Sequence, residues 1–265
     1  MFNDNNIYLK NINQGEIIMN YNVFFSPTGV TEQVVKHIGK HFSDDENIDI
    51  SKDISQNYTM NTNDFCIVGV PSFGGRVPKI ASMRLNKISG HDTPALILVT
   101  YGGRAYEDTL IELKNILETQ GFICIGAIAM VAEHSIVHQI ETGRPNAEDY
   151  EELDNFLTEI KNRLNSKRNS VEVTGNTPYK EYKVLPIEIE VSEKCVKCGL
   201  CAKNCPVGAI PLKHPNLTDS KKCISCMRCV SICPLNARNG NPTKINMIYS
   251  KLKMICEPNK KNEFF

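Results

Sequence analysis

Between residues 19 and 165 the chain alternates two kinds of hydrophobic pattern. Short, near-continuous apolar runs recur: "YNVFF" (21–25), "NIDI" (47–50), "FCIVGV" (65–70), "ALILVTY" (95–101) and "FICIGAIAM" (122–130). A short run that is apolar at odd and even positions alike predicts a strand buried on both faces, as in a parallel sheet. Between these runs, "TEQVVKHIGKHF" (31–42) and "YEDTLIELKNILETQG" (106–121) repeat apolar residues every three or four positions. That spacing predicts helices, the second stopped by Gly121. "RPNAEDYEELDNFLTEIKNRL" (144–164) predicts a further helix, capped by Asn146 and acidic in its first turn. Strands joined by helical crossovers predict an α/β fold, here a three-layer, doubly wound parallel sheet of five strands.

The pattern stops at "NSKRNSVEVTGNTPYKEY" (165–182), which is polar, contains Gly and Pro and has no apolar period. Residues 166–185 therefore read as a linker. Beyond it, a smaller unit over 186–240 is set by cysteine rather than by hydrophobic period, and 241–265 form an extension. A hydrophobic fraction of 41% in 265 residues excludes a disordered chain. The longest apolar runs, 94–101 and 122–132, are too short to span a bilayer, so no membrane span and a cytoplasmic location are expected. The net charge of zero divides unevenly. Residues 1–180 hold 16 basic against 23 acidic residues (−7), and 181–265 hold 14 against 7 (+7). The split suggests two bodies of opposite sign whose attraction favours their docking, and no motif suggests a nucleic-acid partner.

Eight of the 11 cysteines lie in "CVKCGLCAKNCP" (195–206) and "CISCMRCVSICP" (223–234). The same pattern, Cys-x2-Cys-x2-Cys-x3-Cys-Pro, is used twice at an offset of 28. Repeated C-x-x-C in such a chain points to metal ligation rather than disulfides. Three closely spaced thiolates hold one face of a cube-shaped iron–sulfur cluster, and in two-cluster proteins the fourth cysteine crosses to the other cluster. Cys195, Cys198, Cys201 and Cys233 are thus expected to hold one [4Fe–4S] cluster, and Cys223, Cys226, Cys229 and Cys205 the second. The alternative is a pair of zinc sites, but structural zinc takes two cysteine pairs rather than triplets followed by Cys-Pro. Residues 186–240 resemble the bacterial two-cluster ferredoxins, which implies one-electron transfer at low potential. Cys256 falls outside the pattern, and Cys66 and Cys124 sit within strand runs as core residues.

Ligands of doubly wound sheets bind beyond the carboxyl ends of the strands. Three loops there are informative. "SPTGVT" (26–31) opens a helix with hydroxyls and a glycine, a phosphate cradle without a cation and without a Walker or G-x-G-x-x-G pattern. "PSFGGRVP" (71–78) and "TYGGRAYED" (100–108) each carry Gly-Gly-Arg and an aromatic, suited to a flat heterocycle. On these loops residues 19–165 resemble a flavodoxin. The resemblance implies FMN, with Ser26, Thr28, Gly29, Val30 and Thr31 at its phosphate. Ser72, Phe73, Gly74, Gly75 and Arg76, with Thr100, Tyr101, Gly102, Gly103 and Tyr106, would flank its ring. The chain has no tryptophan, so Phe73 and Tyr101 or Tyr106 take the stacking role. His134, after the fifth strand, is expected to be a structural histidine bonded to loop carbonyls, with a proton-donor role as the alternative.

Taken together, the chain resembles the flavodoxin–ferredoxin fusion family. That implies electron transfer between FMN, two [4Fe–4S] clusters and redox partner proteins, with no direct nicotinamide site. The alternative is a flavin-dependent reductase of a small acceptor, fed by its clusters. Residues 1–18 are expected to be a non-native or disordered extension, with Met19 as the start. Gln14-Gly15-Glu16 can be encoded by a purine-rich ribosome-binding sequence at the usual distance before Met19.

Overall fold

The computed structural model describes residues 19–42, 45–183, 185, 187–256 and 260–265. The expectations for residues 1–18 lie outside the described residues. Among the described residues the strands are β1 (Asn20–Phe24), β2 (Asp45–Asp49), β3 (Tyr58–Met60), β4 (Phe65–Pro71), β5 (Ile88–Gly90), β6 (Thr93–Tyr101), β7 (Phe122–Val131), β8 (Ile189–Val191), β9 (Arg238–Gly240) and β10 (Glu263–Phe264). The helices are α1 (Val30–Gly39), α2 (Lys79–Leu85), α3 (Thr109–Thr119), α4 (Ala147–Leu164), α5 (Leu200–Lys203), α6 (Arg228–Ser231) and α7 (Pro242–Lys253).

The central sheet runs β10-β7-β6-β4-β1-β2 and is parallel except for β10. Alternation along β6 shows why its central run, Ala95–Val99, is apolar on both faces. Ala95, Ile97 and Val99 enter one core with Leu110, Leu113 and Leu117 of α3. Leu96 and Leu98 enter the other, with Val34, Val35 and Ile38 of α1 and Leu153, Leu157 and Ile160 of α4. Each such side chain, fully buried, contributes about 1.5–3 kcal/mol relative to exposure. Helix α4 begins as its sequence predicts. Asn146 Oδ1 accepts the Asp149 N–H at 3.1 Å, and Asp149 Oδ2 accepts the Asn146 N–H at 2.7 Å.

Three features depart from the expected five-stranded sheet. First, β10 adds a sixth, antiparallel strand beside β7, pairing Glu263 with Ala129 and Phe264 with Ile128. It satisfies part of an edge that would otherwise be open. Second, β3 and β5 form a separate two-stranded sheet, and α2 follows the loop after β4. Third, the expected linker is tied down along its length. Val171 N–H bonds Cys124 O at 2.8 Å, and the Asp108 carboxylate accepts N–H groups of Asn176 (2.8 Å) and Lys180 (2.7 Å).

The cysteine-rich half holds one antiparallel pair, β8 with β9, and the single-turn helices α5 and α6. Its 28-residue sequence repeat is also a backbone repeat. Lys197 and Ser225 share φ near +55° (55° and 53°), as do Gly199 and Met227 (77° and 60°) and Gly208 and Asn236 (61° and 49°). A third apolar core joins the halves. Ile136, Val137 and Ile140, from the loop after β7, pack with Ile187 and Met227 and with Ile245, Ile248 and Leu252 of α7. Among the described residues no helix is long and apolar enough to cross a membrane.

Candidate functional site

Sheet order reverses between β1 and β4, so the loops after these two strands splay apart there. Above this point lies a cavity of about 550 Å³. All three sequence-predicted loops reach it: Thr28, Val30 and Thr31; Ser72, Phe73, Gly74 and Gly75; Thr100, Tyr101 and Gly102. Gly29 precedes α1 at φ +97°, and the first helical bond, Gln33 N–H to Gly29 O, is 3.0 Å. The Val30 and Thr31 amides thus have no partner within the helix. Thr31 and Thr100 share a hydroxyl hydrogen bond of 2.7 Å, which links the first loop to the third.

The second loop is a tight hairpin, with Phe73 and Arg76 exchanging backbone bonds of 3.0 and 3.3 Å around Gly74 and Gly75. Both glycines have positive φ, and a Cβ on Gly75 would lie 1.8 Å from Glu107 Oε2. Phe73 stands edge-on to Phe25 at 6.5 Å.

Five predicted residues do not line the cavity. Ser26 is buried and spends its hydroxyl on the Glu32 N–H at 2.9 Å, capping α1. Gly29 and Gly103 shape their loops from outside the wall. Arg76 turns away, because Glu112 binds its guanidinium at 2.7 and 2.8 Å while Tyr179 stacks on it. Tyr106 is buried beneath the floor, its hydroxyl bonded to Thr174 (2.8 Å) and Glu263 (2.7 Å). For the flanking aromatics this leaves Phe73 and Tyr101 at the cavity.

Further residues complete the enclosure, among them His134, which the sequence placed at this end of the sheet. Arg104 and the segment Glu133–Ile136 line one side, Lys180 and Lys183 another. Ile224 and Cys226 of the cysteine-rich half, with Ile248, Lys251 and Leu252 of α7, form the remaining wall. The apolar positions Ile245, Ile248, Tyr249 and Leu252 follow helical spacing, so α7 was readable as an amphipathic helix. His134 takes neither expected role in full. Its Nδ1 accepts the N–H groups of Ile136 (3.2 Å) and Val137 (3.1 Å) rather than its ring donating to carbonyls. Burial first, with the nearby His138 and Arg104 charges adding to it, pushes its pKa down to about 4. The ring is neutral at neutral pH, with its proton on Nε2. Glu107 accepts from Arg104 at 2.7 Å and from Lys180. Burial alone would raise its pKa, but these two cations outweigh that and hold it low.

Direct hydrogen bonds fix the halves to one another. Arg228 Nη1 donates to Ser26 O at 3.1 Å, on the first loop itself. Buried Arg84 donates to Ile50 O and Ser51 O (2.9 Å each) and across to Pro206 O at 2.8 Å.

The eight patterned cysteines gather as two mixed sets. Cys195, Cys198, Cys201 and Cys233 surround one small cavity; Cys205, Cys223, Cys226 and Cys229 surround another. In each, the cysteine before proline has crossed to the other run. Ala209 N–H donates to Cys205 Sγ (3.2 Å) and Ala237 N–H to Cys233 Sγ (3.3 Å), again an equivalent pair. Burial pushes the Cys226 thiol up to about 12 and Cys229 up to about 11. Cys66 and Cys124 are buried in the sheet core, and Cys256 packs against the core that joins the halves.

Residues 187–234 match the 4Fe-4S dicluster domain family. The match covers the cysteine-rich half and supports an iron–sulfur cluster there and iron–sulfur electron transfer as its chemistry. No curated protein matches the chain.

Proposed function

We propose that this chain is an electron-transfer protein of the flavodoxin–ferredoxin fusion type. A flavodoxin-like domain (19–165) would bind FMN, and a two-cluster ferredoxin-like domain (186–240) would carry two [4Fe–4S] clusters. Segment 166–185 straps the first domain, and 241–265 supplies α7 and β10. The carrying observation is that one cavity is walled by the three strand-end loops and by Cys226. A flavin there would have a cluster ligand as a neighbour.

The residues suit the group. Five parallel strands in the order second-first-third-fourth-fifth support the flavodoxin-like reading. The cavity volume lies in the range of cofactor sites, about 300–1,000 Å³. Val30 and Thr31 amides and the Thr28 hydroxyl would receive a phosphate, and Phe73 offers a ring to a flat heterocycle. His134 Nε2–H is available as a donor. When bound, FMN supplies a group that exchanges two electrons in single steps. The cysteine spacing also favours clusters over zinc. Structural zinc takes two cysteine pairs, whereas this chain carries two triplets each followed by Cys-Pro.

The set containing Cys226 borders the cavity, and the set containing Cys198 lies outward, where Cys198, Val196, Leu200 and Leu235 are exposed. Electrons would pass from the cavity to the inner set, then the outer set, and there to a redox partner protein. Anaerobically purified protein is expected to contain one FMN and about eight irons. Stoichiometric zinc with little iron or sulfide, or absence of flavin, would defeat this reading.

A second reading, a flavin-dependent reductase of a small acceptor, is favoured by the enclosed cavity and by His134 within it. Saturable reoxidation of the reduced protein by a small acceptor without any partner protein would select it. Reoxidation only by another redox protein selects the carrier.

A further inference from the structure

Helices α1 and α4 pack into the same core on one face of the sheet. His37 lies in the last turn of α1 and His41 in the turn just past its C-cap Lys40, with their ring centroids 5.4 Å apart. Asp154 of α4 meets both. Its Oδ1 lies 2.6 Å from His37 Nε2 and 3.1 Å from His41 Nε2. The three ligand atoms all lie within 4.8 Å of one another. Tyr150, one turn before Asp154, backs the His37 ring at a centroid distance of 4.5 Å. The side chains are 29%, 29% and 43% exposed, enough for an ion and a water to enter.

We propose that His37, His41 and Asp154 bind a divalent transition-metal ion of the zinc class, bridging α1 to α4. This stands independently of the FMN and cluster reading. Two imidazole nitrogens and one carboxylate oxygen are a borderline set that suits Zn²⁺ and its neighbours, whereas Ca²⁺ and Mg²⁺ call for all-oxygen shells. Bonds of about 2.0–2.1 Å place such ligands about 3.3 Å apart, so separations that all lie within 4.8 Å need at most about 1.5 Å of adjustment. Three protein ligands leave the fourth position to water. Without an ion, both rings converge on a single carboxylate oxygen. The ion takes the place of the His37 hydrogen bond and the His41 contact to that oxygen, and each neutral imidazole then keeps its proton on Nδ1. Because α1 opens at the loop 26–31, the ion would tie that loop's helix to α4.

Holoprotein prepared anaerobically, with iron and sulfide assayed before and after, is titrated with Zn²⁺ by calorimetry and examined by zinc X-ray absorption. One ion per chain is expected, in a nitrogen and oxygen shell without sulfur, with iron and sulfide unchanged. His41→Ala and Asp154→Asn should each weaken binding by more than about tenfold. At free zinc 100 times the Kd the folding equilibrium shifts by about 100-fold, read as a rise in unfolding midpoint that both variants lack. Sulfur in the zinc shell, no binding by the wild type, or equal binding by the wild type and both variants would overturn the proposal.

Discussion

The surroundings of His134, in the cavity wall, and of buried Arg238 have measurable consequences. His134 has its pKa lowered from 6.5 to about 4, mainly by burial. The unfolded chain therefore binds a proton that the folded chain does not between those values. This contribution to stability is complete above about pH 6.5 and is lost as pH falls toward 4. At about 1.4 kcal/mol per pH unit the loss is on the order of 3 kcal/mol. Replacing His134 by Gln should flatten the fall in urea-unfolding free energy across that window, and an unchanged slope would show another group responsible. Arg238 is 1% exposed and holds the Pro215, Leu217 (3.1 Å) and Thr218 (2.9 Å) oxygens. Its charge also lies near Cys229 and Cys233, one from each cysteine set. Under the proposed reading a buried cation favours the reduced clusters. Arg238→Met should lower the cluster potentials in an EPR-monitored titration, and Arg238→Lys should restore part of the difference. Cys205→Ser should disturb the signal of the cluster held with Cys223, Cys226 and Cys229. Loss confined to the cluster of Cys195, Cys198 and Cys201 would contradict the crossed arrangement.

At the scale of elements, strands and helices with strong period were legible in the sequence and those without were not. The runs at 65–70 and 95–101 are nearly continuous in apolar residues because each faces a helical layer on both sides, and they became β4 and β6. Asn146 announced the start of α4 through its own chemistry; Asn146→Ala should cost about 1 kcal/mol in thermal or urea unfolding. In contrast, β10 is two residues long, so no periodicity could reveal it. It is held by long-range contacts: Phe264 on Phe156 at 5.1 Å, and Asn262 donating to Asp149 at 2.7 Å. The same distinction runs through the cavity. Local loop chemistry exposed Thr28, Phe73 and Tyr101, but nothing near Arg76 in sequence says that Glu112, 36 residues on, would claim its guanidinium. Lys180, Cys226 and Leu252 reach the cavity only through tertiary packing, which spacing rules do not register. The cysteine sets were the most legible feature, because cluster geometry constrains ligand spacing directly.

For the whole molecule, the −7 and +7 halves suggested docking by opposite charge. The contact instead rests on apolar Ile136, Val137, Ile187 and Met227, reinforced by arginines bonded to backbone carbonyls. Such a contact is already formed and does not depend on long-range attraction. Under the proposed function, electron transfer between the halves should therefore change by less than about twofold when salt shortens the Debye length from about 10 to 3 Å. A steep slowing, read by flash photolysis, would restore the docking view. The pairing of β10 with β7 has a further consequence for how the protein comes into being. On the ribosome, β7 leaves the exit tunnel long before residues 263–265, with every patterned cysteine between them. The sheet edge and the Tyr106 hydroxyl must wait for that last stretch. Cofactor insertion into the cysteine-rich half thus has a window during synthesis in which the first half is still unlatched, and the returning strand closes after it.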